Sequence, residues 1–225
     1  MRTTIYLGLL ILAVVAFTAF PGIDLAVTRV FYRSHLGFFL YTIPVIRFVH
    51  DAVPPLTVAL SIFLVLATGW SAWTRRAVLG LSWRKLAYLL MVLAVGPGLL
   101  VNVVFKEHWG RARPSQVVEF GGTKTFSPAL AISDQCHGNC SFVSGHAAMG
   151  FYPVALAFVI GRRRRVLATA GGILLGGAVG AVRIMEGGHF LSDVVFSGLV
   201  VYGCSWGLAR VMLAGRDPTD SLGRA

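Results

Sequence analysis

Charge is scarce in this chain: Asp, Glu, Lys and Arg together make up 13% of its 225 residues, where soluble domains carry about a quarter. That shortage, with an apolar fraction of 56%, excludes an ordinary soluble domain. Long polar, Ser-rich or low-complexity stretches are also missing, so no linker and no separate soluble unit is expected. No segment repeats at a fixed period, which excludes a solenoid. One membrane domain over 1–225 is the expectation. Cysteine is sparse too: Cys136, Cys140 and Cys204 are too few for a disulfide framework, and Cys204 falls inside an apolar run, where an inert buried thiol is the default.

Acidic residues number nine against twenty Lys and Arg, a formal net charge of +11. On a soluble protein that excess would suggest nucleic acid. Here the basic residues sit in short clusters beside apolar runs with no aromatic platform in a polar setting, so nucleic acid is not an expected partner. The expected partner is the bilayer and its anionic head groups, and no obligate protein partner is evident.

A hydrocarbon core about 30 Å thick needs roughly 17–25 apolar residues of helix. Runs of that kind lie at about Thr4–Phe20, Leu56–Trp73, Leu86–Phe105, Phe142–Gly161, Val166–Met185 and Val194–Ala214. They predict an all-α integral membrane bundle of six transmembrane helices. The first run also fits a signal peptide, with Arg2 before it, although no clear small-x-small cleavage site follows. Basic residues mark cytoplasmic loops. Arg75, Arg76, Arg84 and Lys85 flank one loop and Arg162 to Arg165 form another, and both lie on the same side of a six-span chain. The termini, near Arg2, Arg216 and Arg224, join them, and the loops 21–55, 106–141 and 186–193 face outward. The first outward loop, which mixes charge with Phe31, Tyr32, Phe38, Phe39 and Tyr41, reads either as an interfacial amphipathic segment or as a connector with an aromatic belt.

Polar residues gather at 106–114, 144–146 and 183–193, all on the outward side. Lys106 and Arg113 are seven apart, so both point the same way if the third helix continues past Lys106; taken alone they also read as a snorkelling pair. Ser144, Gly145 and His146 open the fourth run, where free N–H groups favour an anion; alone they read as an N-cap with an interfacial histidine. His189 and Asp193 are four apart, which on a helix sets the carboxylate against one imidazole nitrogen and leaves the other free; alone they read as a capping Asp with a structural His. Gly187 and Gly188 allow a turn that brings Arg183 to face the start of the sixth run.

Taken together these residues resemble the three-part signature of the phosphatidic acid phosphatase type 2 superfamily, shared with bacterial lipid phosphatases, glucose-6-phosphatase and vanadium haloperoxidases. Lys106, six residues and Arg113-Pro114 match the first part; Val143-Ser144-Gly145-His146 the second, with Val143 for the usual proline; Val182-Arg183, five residues, His189, three residues and Asp193 the third, with Val182 for the usual serine. The match covers 106–193. Neither departure falls on a cation or a nucleophile.

The resemblance implies that His189 attacks phosphorus, that Asp193 orients it, and that His146 protonates the leaving group and later helps activate water. Lys106, Arg113, Ser144, Gly145 and Arg183 would cradle the phosphate without any metal or cofactor. It also implies a phosphorylated membrane lipid as substrate and an active site facing the periplasm from a bacterial inner membrane. The stretches 139–146 and 183–193 look most like lipid A phosphatases. Undecaprenyl pyrophosphate phosphatase and phosphatidylglycerophosphate phosphatase use the same machinery. A lipid phosphotransferase is a further alternative, and a non-enzymatic channel or scaffold is the alternative of another class. Arg111 is an extra cation, expected either at a second phosphate or sugar of the substrate or at lipid head groups; Glu107 and Glu186 either select a head group or balance charge. Cys136 and Cys140, four apart in the outward loop before Ser144, are expected to bond if that loop folds back in an oxidising periplasm; a zinc site with His137 is the alternative.

Overall fold

The apolar runs become helices whose outer faces are bare hydrocarbon. A computed structural model describes residues 3–214, with the backbone but not the side chains of Arg162 and Arg163. Arg2, Arg216 and Arg224, expected on the cytoplasmic side, lie outside the described residues. In order, the helices are α1 (Thr3–Ala19), α2 (Gly22–Arg29), α3 (Pro44–Thr74), α4 (Trp83–Leu93), a π-helix (Ala94–Phe105), α5 (Lys106–His108), α6 (Gly145–Phe151), a 3₁₀-helix (Tyr152–Phe158), α7 (Arg162–Met185) and α8 (Leu191–Met212). The only strands among the described residues are β1 (Tyr32–Arg33) and β2 (Gly37–Phe38), a two-residue antiparallel hairpin.

Four helices among the described residues are long and apolar enough to cross a membrane: Pro44–Thr74, Trp83–His108, Arg164–Met185 and Leu191–Met212. A fifth is added if α1 and α2, bent by 84° at the break before Gly22, count as one span. The sequence predicts six. The difference falls on the run 142–161, which is helical only from Gly145 and tightens into 3₁₀-helix at Tyr152-Pro153, a rod about 25 Å long. Its surroundings are protein rather than lipid, with Ala147, Ala148, Tyr152, Val154, Ala155 and Ala157 buried.

The closeness of that rod to α7 comes from small residues. Gly172, Gly176 and Gly180 form a stripe on α7 at intervals of four, and side chains from neighbouring elements fill the space a Cβ would take: Val154 at Gly172, Phe151 at Gly176 and Val194 at Gly180. The opposite face of α7 presents Leu167, Ile173 and Leu174 to the outside. Among the described residues four apolar clusters fill the interior, two of them large. One joins Leu64, Leu86, Leu89, Val92 and Ala155; the other joins Phe17, Val101, Phe142, Ala148, Phe196 and Val201.

Two departures from the expected boundaries shape the site. The second span starts at Pro44 rather than Leu56, because Pro54 and Pro55 lie inside α3 without ending it. The third span contains Gly96, Pro97 and Gly98 and widens into a π-helix; Asn102 Nδ2 donates to the Pro97 carbonyl at 2.8 Å. The first outward loop is more than a plain connector. It forms α2, the hairpin and a short 3₁₀-helix, and Tyr32, Phe38 and Phe120 stack together with ring centroids 5.4–5.8 Å apart.

Candidate active site

Signature residues from all three clusters meet at one end of the bundle. His189 lies in the turn between α7 and α8, not on a helix, and is 1% exposed. Gly187, at φ +69°, makes that turn. The nearest acceptor of His189 Nδ1 is the backbone carbonyl of Ser141, 2.8 Å away, while Asp193 Oδ2 stands at 3.6 Å. A carbonyl only accepts, so Nδ1 carries the proton and Nε2 the lone pair. Nε2 is buried and has no hydrogen-bond partner among the described residues. Burial pushes the imidazole down to about 4, opposed by Asp193 and assisted by the charges of Arg183 and Arg113. Near neutrality the ring is uncharged and its Nε2 lone pair is open.

Asp193 is held independently of the histidine. As the third residue of α8 it accepts from the Phe190 N–H through Oδ2 at 2.8 Å, and the Ser141 hydroxyl donates to the same oxygen at 2.6 Å. Its Oδ1 accepts from Arg111 at 2.6 Å. Arg111 is therefore not a head-group contact. It is 0% exposed, and its donors go to protein: Nε to the Ser127 carbonyl at 2.9 Å, NH1 to Ser192 Oγ at 2.8 Å and to Asp193, and NH2 to Asp24 Oδ2 at 2.8 Å. The guanidinium lies over the Phe190 ring, 4.3 Å from its centre.

Asp24 comes from α2, carried over the site by the bend after α1, and also accepts from the Ser192 N–H at 2.8 Å. Two carboxylates and one guanidinium thus leave a net charge of about −1 behind His189, suited to a ring that becomes cationic. Asp24, Ser141 and Ser192 are members of this buried network that the sequence reading missed.

Lys106 and Arg113 do not share a helical face. The helix stops at His108, Gly110 turns the chain at φ +65°, and Arg113 is extended. The two cations are nevertheless brought together by Asn139, whose Oδ1 accepts from Lys106 Nζ at 3.1 Å and from Arg113 NH2 at 3.0 Å. Lys106 also lies over Gly145, where a Cβ would come within 3.3 Å of Nζ. Ser144 caps α6, its hydroxyl accepting from the Ala147 N–H at 3.3 Å. Cys136 and Cys140 are joined by a disulfide, which takes up the thiols that a zinc site with His137 would need. Glu107 accepts the Asn139 N–H at 3.1 Å.

The last signature cation, Arg183, ends α7 and pairs through NH1 with Glu186 and with Nδ1 of His50. His50 Nδ1 is 3.1 Å from the same Glu186 oxygen. Glu186 thus balances the charge of Arg183, and His50, on the part of α3 not expected to be helical, is another residue the sequence did not reveal. The His50 carbonyl is 3.2 Å from His146 Nε2. Pro54, four residues on, has no N–H to offer that carbonyl, and His146 takes the place of the missing helical donor. Nε2 of His146 therefore bears a proton and Nδ1 is left for exchange.

Residues 85–216 match the family model of the PAP2 superfamily. More than half of the chain is matched, and the chain belongs to that superfamily; Asp24 and His50 are the site residues outside the matched segment. Among curated proteins it is similar to a lipid A 4'-phosphatase of Francisella tularensis subsp. novicida (strain U112), 37% identical over 94% of this chain and 96% of the relative. Lipid A 4'-phosphatases of Rhizobium leguminosarum and Rhizobium etli are 43% and 41% identical over 53% of this chain, covering 52% and 48% of those proteins. No solved structure matches the chain.

Proposed function

We propose that this chain is a membrane phosphatase that hydrolyses the 4'-phosphate ester of lipid A through a phosphohistidine at His189. The observation that carries the reading is the bare, buried Nε2 of a neutral imidazole whose other nitrogen is committed to the Ser141 carbonyl. A phosphate monoester brings about two negative charges near neutral pH, and Lys106 and Arg113 match them, with Arg183, itself paired to Glu186, as a third donor. Nε2 attacks phosphorus and the bond from phosphorus to the sugar oxygen breaks. His146, carrying a second proton on Nδ1 while its Nε2–H stays on the His50 carbonyl, gives that Nδ1 proton to the oxygen. The phosphorylated ring is cationic and is stabilised by Asp193 and the net negative charge behind it. Water then passes a proton to His146 and attacks phosphorus, releasing inorganic phosphate and restoring the lone pair. The charge neutralisation that a metal provides in other phosphatases falls to these three side chains.

The orientation belongs to the same proposal. Arg75, Arg76, Arg84 and Lys85 lie at the ends of α3 and α4 remote from His50 and Lys106, as expected if the site faces the periplasm of an inner membrane. The bent α1–α2 pair and the short rod 145–158 complete six crossings.

Purified protein in detergent with EDTA is expected to release phosphate from lipid A, with mass spectrometry showing loss at the 4' position and retention at the other end of the disaccharide. Undecaprenyl pyrophosphate, phosphatidylglycerophosphate and phosphatidic acid should turn over more slowly. Loss of all activity in EDTA would end the metal-free mechanism, and a His189→Ala variant turning over at the wild-type rate would end the assignment of the nucleophile.

A further inference from the structure

Lys106 and Arg113 repel each other, and neither belongs to a rigid face that would hold their spacing. What holds them is Asn139. A neutral amide oxygen shared between two cations draws them together without adding a negative charge that would compete with phosphate. The backbone carbonyl of Asn139 adds a second bond to Arg113 at 2.8 Å. Asn139 itself is exposed and adopts a left-handed backbone at φ +49°, a conformation Asn tolerates better than most residues. Three restraints keep it there: its N–H on Glu107, the Cys140 N–H on the Lys106 carbonyl at 3.0 Å, and the disulfide that closes the loop 136–140 with its Cα atoms 5.7 Å apart.

We infer that Asn139 is a positioning residue that sets the separation of Lys106 and Arg113 for a phosphate group, and that the Cys136–Cys140 disulfide is the strap that keeps it in place. The inference rests on the proposed function in one respect, that these two cations receive phosphate. Phosphate affinity then depends on the redox state of the loop. The bond forms when the two thiols pass two electrons and two protons to a disulfide donor of an oxidising compartment. Reduction returns the loop to exposed hydrogen bonds, for which water competes, and the two cations separate.

The test is binding of inorganic phosphate to the purified full chain, measured by calorimetry with the loop oxidised and after reduction by a phosphine, the opening being verified from protein mass. Reduction is expected to weaken phosphate binding about tenfold, the scale of one hydrogen bond to a charged group. Asn139→Ala should do the same. Asn139→Asp should weaken binding further, because its carboxylate occupies both cations, and a purely structural role would not distinguish Asp from Ala in that order. Phosphate affinity unchanged by verified reduction would overturn the inference, as would Ala and Asp variants that bind like wild type. Should the double variant Cys136→Ser/Cys140→Ser not fold, reduction of the wild-type protein still decides. Lipid A hydrolysis by the same preparation separates the two claims: redox-sensitive phosphate binding without hydrolysis sinks the phosphatase reading and leaves the strap standing.

Discussion

At the scale of single residues, the site depends on buried charges that look ordinary in the sequence. Arg111 reads as one of several arginines beside a membrane, and nothing local tells that Asp24 and Asp193 will close on it. Replacing it with Met leaves buried carboxylates without their counter-charge, which should cost about 3–5 kcal/mol of stability. Thermal unfolding in detergent checks this, and a midpoint within a degree of wild type would refute the buried network. The pH dependence follows from His189. Unfolded, its imidazole takes up a proton near 6.5; folded, only near 4. Its contribution to stability is therefore complete above about 6.5 and is lost as the pH falls towards 4. For the same reason the acid limb of kcat/KM due to this group is expected near 4 instead of near 6.5, and a pH–rate profile in detergent would show it.

Among the elements, the sequence revealed the spans that obey simple periodicity and apolar length. The runs expected at Leu86–Phe105, Val166–Met185 and Val194–Ala214 appear within a few residues of their expected ends. What the sequence hid was the start of the second span: the uncharged apolar run begins at Leu56, after Asp51, whereas α3 begins at Pro44 and carries His50, with tertiary contact satisfying the carbonyl that Pro54 abandons. Pro54→Ala restores an N–H for the His50 carbonyl and removes a helix breaker. Stability should rise while kcat falls about tenfold, since His146 loses its anchor. Paired unfolding and steady-state measurements test that opposition, and equal changes in both would contradict it. The glycine stripe of α7 recurs at intervals of four in the sequence, and only the packing shows what fills it. Gly176→Ala should destabilise by about 1–3 kcal/mol as its methyl meets Phe151. Gly177→Ala, with open space around it, should instead stabilise by about 0.5–1 kcal/mol. Melting the two variants side by side decides it.

At the scale of the whole molecule, the three spaced motifs were legible because their residues are chemically distinctive, and the structure assembles them at one end of the bundle. The supporting residues were not legible, because Asp24, His50, Asn139 and Ser141 acquire meaning only from partners far along the chain. The proposed orientation yields one global prediction. In intact cells a cysteine introduced at Lys124, on the site's side, should react with a membrane-impermeant maleimide, and one at Arg76 should not. The reverse pattern would place the chemistry in the cytoplasm.

The 84° bend after α1 also has a meaning for synthesis. Asp24 leaves the ribosome among the earliest residues, whereas Ser192 and Asp193, which complete its circle of partners, come with the final helix. A chain interrupted at the end of α7 holds Lys106, Arg113 and Arg183 but lacks both His189 and Asp193. Such a fragment would gather anionic lipid without cleaving it, so chemistry begins only when the last helix has been inserted and the first acidic residue of the chain is enclosed.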